Sequence, residues 1–292
     1  MKTLALVEEL FVRDNARVLP RVISGYEFLR PSRLPEWDQI KEGLIRRDED
    51  APDRFVVGIT SEFNNLDYPA YEGLDRIVSG LRLIRPNAGR IRYLIDLDNL
   101  SSDKIVSVLS PQNTWIANVF PDSILTPDDF NKLRDIFPTL NFLYTSGKYT
   151  RLRNAFDFYN HTNWNHSYTD ILVNLVSGLE SIFITVEQEL AETLCTRAAW
   201  FTHPLMPDSV GRKELFVDLK KMYNLRSRIL HGGDISSFSR EEKDKSLSVA
   251  VGVLRHGLIK ILRDEVTFDK FIGNKKELDD YFRDLVFGGV SP

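Results

Sequence analysis

Cysteine is almost missing from this chain, with Cys195 the single example in 292 residues. One thiol excludes an internal disulfide and a cysteine-based zinc cluster, and it fits a reducing, cytoplasmic setting. No run approaches the roughly 18 apolar residues of a membrane span. The first residues, MKTLALVEELFVRDN, carry acids at Glu8 and Glu9 and lack the long apolar core and small-residue cleavage site of a signal peptide. A basic excess is missing too. The net charge is −4, so attraction to a polyanion requires a local cationic patch. What is present is 42% hydrophobic and 27% charged residues, the balance of a soluble globular protein with a real core.

Proline use divides the chain. Residues 1–147 are predicted to form a mixed α/β regulatory or sensing domain. The Pro-broken start (Pro20, Pro31, Pro35) reads as a short helix or strand and a turn region, followed by a helix near Glu36–Arg46, with Arg46–Asp50 as a charged loop. Arg54–Thr60 and Ile91–Leu97 read as strands, and Thr114–Phe120 as a third. Between the first two, Glu72–Ile84 reads as a helix. Thr126-Pro127-Asp128-Asp129 has the look of a helix start, which should stop before Pro138.

From Lys148 to Phe287 only Pro204 and Pro207 occur, and long helical periods take over. Residues 148–292 are therefore predicted to be an all-helical bundle, making the whole chain α+β. Helices are expected at Arg151–Asn160, along Tyr168–Leu194, at Glu214–His231, Glu241–Glu265 and Lys275–Leu285. Cys195–Trp200 continues the second of these or begins another. Ser239 with Glu242 resembles a capping box.

Glu214–His231 holds the most informative pattern. Leu215, Leu219, Met222 and Ile229 share one helix face, and Arg226 stands where the next apolar residue belongs. His231 follows, then Gly232-Gly233, which ends a helix. One reading is structural: a buried charge needs a partner, Glu180 on the flank of the preceding long helix is the candidate, and His231 merely ends the helix. The other is catalytic, with histidine as acid or base and arginine stabilising charge on phosphorus. On an ideal helix the two residues point about 140° apart, and Arg228 is the closer neighbour of His231. Two copies of the helix facing each other across a two-fold axis would bring the pair together, shared between subunits. Six Lys/Arg between Arg212 and His231, against Glu214 and Asp218, make a strip suited to phosphates or simply a solvated face.

Other constellations are weaker. Asp96-Leu97-Asp98 lacks the preceding glycine-serine loop of a nucleotidyltransferase and reads as a strand end. His161, Asn163, Asn165 and His166 read as a connecting loop, not a metal site. Tyr149, Phe156, Phe158, Tyr159 and Trp164 read as core packing ahead of a base-stacking platform. No phosphate-cradling glycine loop, nucleophile elbow or metalloprotease helix is present, and no metal or cofactor is expected.

Tyr223–Gly233, YNLRSRILHGG, resembles the signature of ApeA-like HEPN domains: a tyrosine, the arginine-serine pair Arg226-Ser227, a basic residue, two aliphatics, then histidine-glycine-glycine. RLRNAFDFYNHT followed by YTDILVNLVSGLESIF is similar to the family's opening helices, with Leu179-Glu180 as their leucine-glutamate pair. CTRAAWF resembles the next helix, with its arginine at Arg197. The resemblance covers about residues 148–265; residues 74–89 bear only a faint similarity to segments that precede such domains. It implies a helical bundle that dimerises, with the stripe that Arg226 interrupts as the dimer seam. It also implies a metal-independent ribonuclease in which His231 is acid or base and Arg226 holds the phosphate, with Arg228, Tyr223, Ser227, Glu180 and Arg197 in support. The substrate implied is RNA, cut by attack of the 2′-hydroxyl on the adjacent phosphate. The setting implied is a toxin or phage-defence effector, with an inhibitor or sensed partner engaging the N-terminal domain. Other members of the superfamily have lost catalysis and only bind or assemble.

Overall fold

The structure is a computed structural model that describes residues 2–8, 10, 12, 21–45, 57–62, 68–87, 89–100, 105–108, 124–165, 167–205 and 211–288. The chain is α+β and divides into two compact units, 1–138 and 139–292. The expected strand at 114–120, the loop at 46–50 and His166 lie outside the described residues.

Unit one is built on a six-stranded antiparallel sheet in the order β2-β3-β4-β1-β5-β6. The strands are β1 (Lys2–Glu8), β2 (Arg21–Ile23), β3 (Tyr26–Leu29), β4 (Val57–Glu62), β5 (Arg90–Asp96) and β6 (Ile105–Ser107). Alternation along β1 sorts its side chains between two faces. Leu4 and Leu6 lie opposite Ile95 and Tyr93 of β5, and all four join a cluster with Trp37, Ile40 and Leu44 of helix α1 (Trp37–Ile45). Gly58 makes room for this layer, since a Cβ there would sit 2.8 Å from Leu4. Ala5 lies opposite Ile59 and Leu94, and Ile59 opposite Phe28. Phe28 meets Phe130 edge-on, with ring centres 5.1 Å apart.

Helix α2 runs Tyr68–Ile84, and α3 runs Pro127–Thr145. The Asp129 carboxylate accepts from the Thr126 amide at 2.8 Å and from the Arg85 Nε–H at 2.7 Å, which explains the start of α3. The expected stop before Pro138 is not there. Proline removes one helical hydrogen bond, but Ile136, Phe137, Leu140 and Leu143 are buried around it and carry the helix through.

Unit two is helical. Its further helices are α4 (Thr150–His161), α5 (Tyr168–Phe183), α6 (Leu190–Thr202), α7 (Arg212–Leu230), α8 (Arg240–Arg263), α9 (Glu265–Asp269) and α10 (Lys275–Phe287). The long α8 packs against α4, α5, α6, α7 and α9. Its start is the expected capping box, Ser239 with Glu242. The single helix expected over Tyr168–Leu194 is broken at Ile184, and α6 restarts after Glu189, whose φ of 51° is left-handed. Two arginines serve the carbonyls left open by that break: Arg197 donates to Phe183 O at 3.1 Å and Arg151 donates to Ile184 O.

Candidate functional site

Helix α7 brings the candidate residues to its last two turns. Leu215, Leu219 and Met222 are fully buried within one chain. These three positions are therefore intrachain core, not the dimer seam that the resemblance implies, while Ile229, the fourth of the stripe, is half-buried; α5, α6 and α8 cover the helix.

Arg226 is held where the structural reading expects it. Its Nη2 donates to Glu180 Oε2 at 2.8 Å, with both side chains about one-fifth exposed at 18% and 23%. The Tyr223 hydroxyl donates to the other Glu180 oxygen at 3.0 Å. The guanidinium lies 5.6 Å from the Tyr223 ring centre. One carboxylate thus fixes a phenol and a guanidinium on successive turns. Burial, and then the Glu180 charge, push the Tyr223 phenol up to about 12, so it remains a donor at neutral pH. The Arg226 Nε–H is buried and has no acceptor among the described residues.

His231 closes the helix. Its amide donates to Ser227 O at 3.1 Å, the Gly232 amide to Ile229 O at 3.1 Å and the Gly233 amide to Arg228 O at 2.8 Å. Gly232 has a φ of 69°, the left-handed conformation that this ending requires. The His231 side chain is exposed. Among the described residues no contact joins it to Arg226, as the helical wheel predicts for one chain. Ser227 contributes its carbonyl to this ending.

Arg197 belongs to a different assembly. It forms an ion pair with Asp279, donates to Thr185 Oγ1 at 2.7 Å, and lies 5.3 Å from the Phe282 ring centre. It ties α6 to α10 and to the α5–α6 break. Asp279, with Arg197 and Thr185 as donors, is held below the usual carboxylate range. Nothing in the spacing of residues signalled this partner.

The basic strip is half occupied. Arg212 stacks 3.7 Å from the Trp200 ring centre, Lys220 pairs with Glu192, and Arg226 pairs with Glu180. Lys213, Lys221 and Arg228 face solvent. Arg228 lies over the Phe238 ring at 5.3 Å. Sequence reasoning missed Lys221 and Phe238 as companions of Arg228. Lys221 stands seven residues before Arg228, a two-turn repeat that would have revealed the shared face; Phe238 lies beyond the helix and gave no such signal.

The remaining candidates resolve as structure. Asp96 ends β5 and accepts from the Asp98 amide at 3.0 Å, while Asp98 accepts from the Lys2 amide at 2.9 Å. Tyr149, Phe156 and Tyr159 are buried core. Burial pushes the Cys195 thiol up to about 12, which makes it a poor nucleophile. Among the described residues no group of three His, Cys, Asp or Glu converges on a metal-sized space, and no helix is long and apolar enough to cross a membrane. A scan against protein-family models, a search of curated proteins and a search of solved structures each found no match.

Proposed function

We propose that this protein is a HEPN-type endoribonuclease that works as a pair of identical chains. The observation that carries the reading is the way Glu180 holds Arg226: the carboxylate engages Nη2, and the side chain stays 18% exposed. A guanidinium has five N–H donors, so one fixed edge leaves others for a phosphate. His231 stands exposed beyond the end of the same helix, at a position set by Gly232. In the reaction the RNA 2′-hydroxyl attacks the adjacent phosphorus and the bond to the 5′ oxygen breaks. The 2′-hydroxyl proton goes to a base and the leaving oxygen takes one from an acid. His231 serves one of these roles, and Arg226 stabilises the charge on phosphorus. His231 and Arg226 come from different copies, because one chain does not bring them together.

The test uses the purified protein and a single-stranded RNA in the presence of a chelator. The expected products end in a 2′,3′-cyclic phosphate and a 5′-hydroxyl. His231→Ala should slow cleavage by at least about 10²-fold, the usual contribution of an acid–base group. Equal rates for His231→Ala and the parent protein overturn the assignment.

A second reading is a HEPN-type module that assembles without cutting. The Glu180–Arg226 ion pair favours it, because the same contact explains Arg226 as a buried charge with its counterion. It expects intact RNA with every variant and a loss of stability or pairing in Arg226→Ala.

A further inference from the structure

A cavity of about 300 Å³ opens between α7, the start of α8 and the segment that joins them. Lys221, Asn224 and Arg228 line it from α7, on one face of the helix, and Phe238 lines it from the joining segment. Glu242, Lys245 and Asp218 also line it, yet each has an internal partner. Asp218 pairs with Lys245 at 2.9 Å, and Glu242 accepts from the Ser239 amide at 2.8 Å. Lys221 and Arg228 form no direct ion pair among the described residues, although the Lys221 charge also acts on Glu242. They stand two turns apart, about 10 Å along the axis. The Asn224 amide lies between them and offers both a donor and an acceptor. The Phe238 ring provides an apolar wall, half-buried and partly covered by Arg228.

The geometry points to a binding site for one nucleotide of a single-stranded RNA, with the phosphate between Lys221 and Arg228, the base against Phe238, and Asn224 on the base edge. Exposed cations without a direct ion pair select an anion, and an aromatic wall selects a flat ring; a nucleotide has both. The volume sits at the small end of ligand pockets, enough for one such unit. Arg228 is three residues from His231, so this nucleotide lies next to the bond that His231 would cut. The RNA origin of the nucleotide rests on the proposed ribonuclease reading; the cavity's preference for a phosphate joined to a base does not.

The test is equilibrium binding of a short labelled single-stranded RNA to the full chain carrying His231→Ala, which keeps the RNA intact. Lys221→Ala should weaken binding about tenfold and reduce the slope of log affinity against log salt by about 0.7, the share of one phosphate on a single strand. Phe238→Ala should weaken it between about five- and 150-fold, the range for loss of one stacked base, and Phe238→Trp should restore it. Lys213→Ala, on the same helix outside the cavity, should change nothing. Equal losses for Lys213→Ala and Lys221→Ala overturn the site, and so does RNA binding that ignores both the lysine and the phenylalanine. Saturable binding of a free mononucleotide that RNA fails to displace overturns the RNA origin. If the parent protein cuts RNA while cavity variants bind and cut normally, the cavity assignment fails alone. If cavity variants lose binding while His231→Ala still cuts, the cleavage assignment fails alone.

Discussion

Glu180 is a single carboxylate with two obligations. Removing it leaves the Tyr223 hydroxyl and the Arg226 guanidinium facing each other without an acceptor, in a site only about one-fifth open to water. Glu180→Gln keeps the shape and one acceptor oxygen but loses the charge. It should lower the unfolding free energy by about 1–3 kcal/mol, the cost of a half-buried polar group left without its partner, as read by urea denaturation. The Glu180–Arg226 pair was legible in the sequence, because a charge interrupting an apolar stripe demands a counterion and Glu180 flanked the nearest core face. Tyr223 entered only through the family resemblance, since a tyrosine on an apolar face needs no special account. The Arg197–Asp279 pair was illegible for a different reason. It joins residues 82 positions apart, on two helices whose docking no local pattern encodes.

Among the helices, the close approach of α5 to its neighbours depends on Gly178. A Cβ there would lie 2.7 Å from a Leu254 methyl of α8 and 3.3 Å from the Ala155 carbonyl oxygen of α4. Helix propensity alone favours alanine over glycine by up to about 1 kcal/mol. Contact with a backbone oxygen that cannot turn aside should reverse that sign, and Gly178→Ala should destabilise by about 1–3 kcal/mol in thermal or urea unfolding. A stabilised variant would mean that α4 and α8 yield easily, and that α5 is less firmly seated than its burial indicates. Helix existence and type were readable from the 3.6-residue period, and the ends of α7 and α8 from their caps. The break at Ile184 was not. Apolar residues continue on both sides of it, so periodicity runs through, and Arg151 and Arg197 take the carbonyls left open where the helix ends. Pro138 is the converse case, a strong stop signal overruled by buried neighbours. In the sheet, β6 was not expected and β1, β2 and β3 were not resolved by sequence reasoning, because short apolar groups between turns fit a helix or a strand equally until their partners are known.

For the molecule as a whole, pH is the most direct lever. Burial pushes the Tyr149 and Tyr223 phenols up to about 12, and it raises Tyr26, Tyr168 and Tyr281 as well. Above the usual phenol value of 10.0 the unfolded chain releases these protons while the folded chain keeps them. The folded state then binds more protons, so stability is intact below pH 10 and falls as pH rises toward 12. On the acid side the sign reverses. Burial, and then the neighbouring Arg255 charge, bring His256 down from 6.5 to about 4. Its contribution is present above pH 6.5 and is lost as pH falls toward 4, because the unfolded chain takes up the proton first. The thermal midpoint should therefore be highest between about pH 7 and 9. Tyr223→Phe should flatten the alkaline limb and His256→Gln the acid limb, each leaving the opposite limb unchanged. A midpoint that stays level up to pH 12 would show that these phenols ionise as freely in the folded protein as in the unfolded chain.

The position of β1 in its sheet has a consequence for how the protein is made. Residues 3–8 occupy the centre, bonded on one side to β4 and on the other to β5, whose last partner is Asp96. During synthesis the strand emerges long before either neighbour exists, and it must wait while some ninety further residues are added. At about 5–20 residues per second that is an interval of several seconds with Leu4, Leu6 and Val7 uncovered. Chains caught in that interval are the ones a chaperone would meet. The helical unit begins to pack sooner, because α4 packs on α5 and α6 on α7, each with the next helix to arrive, and α8 completes the bundle later.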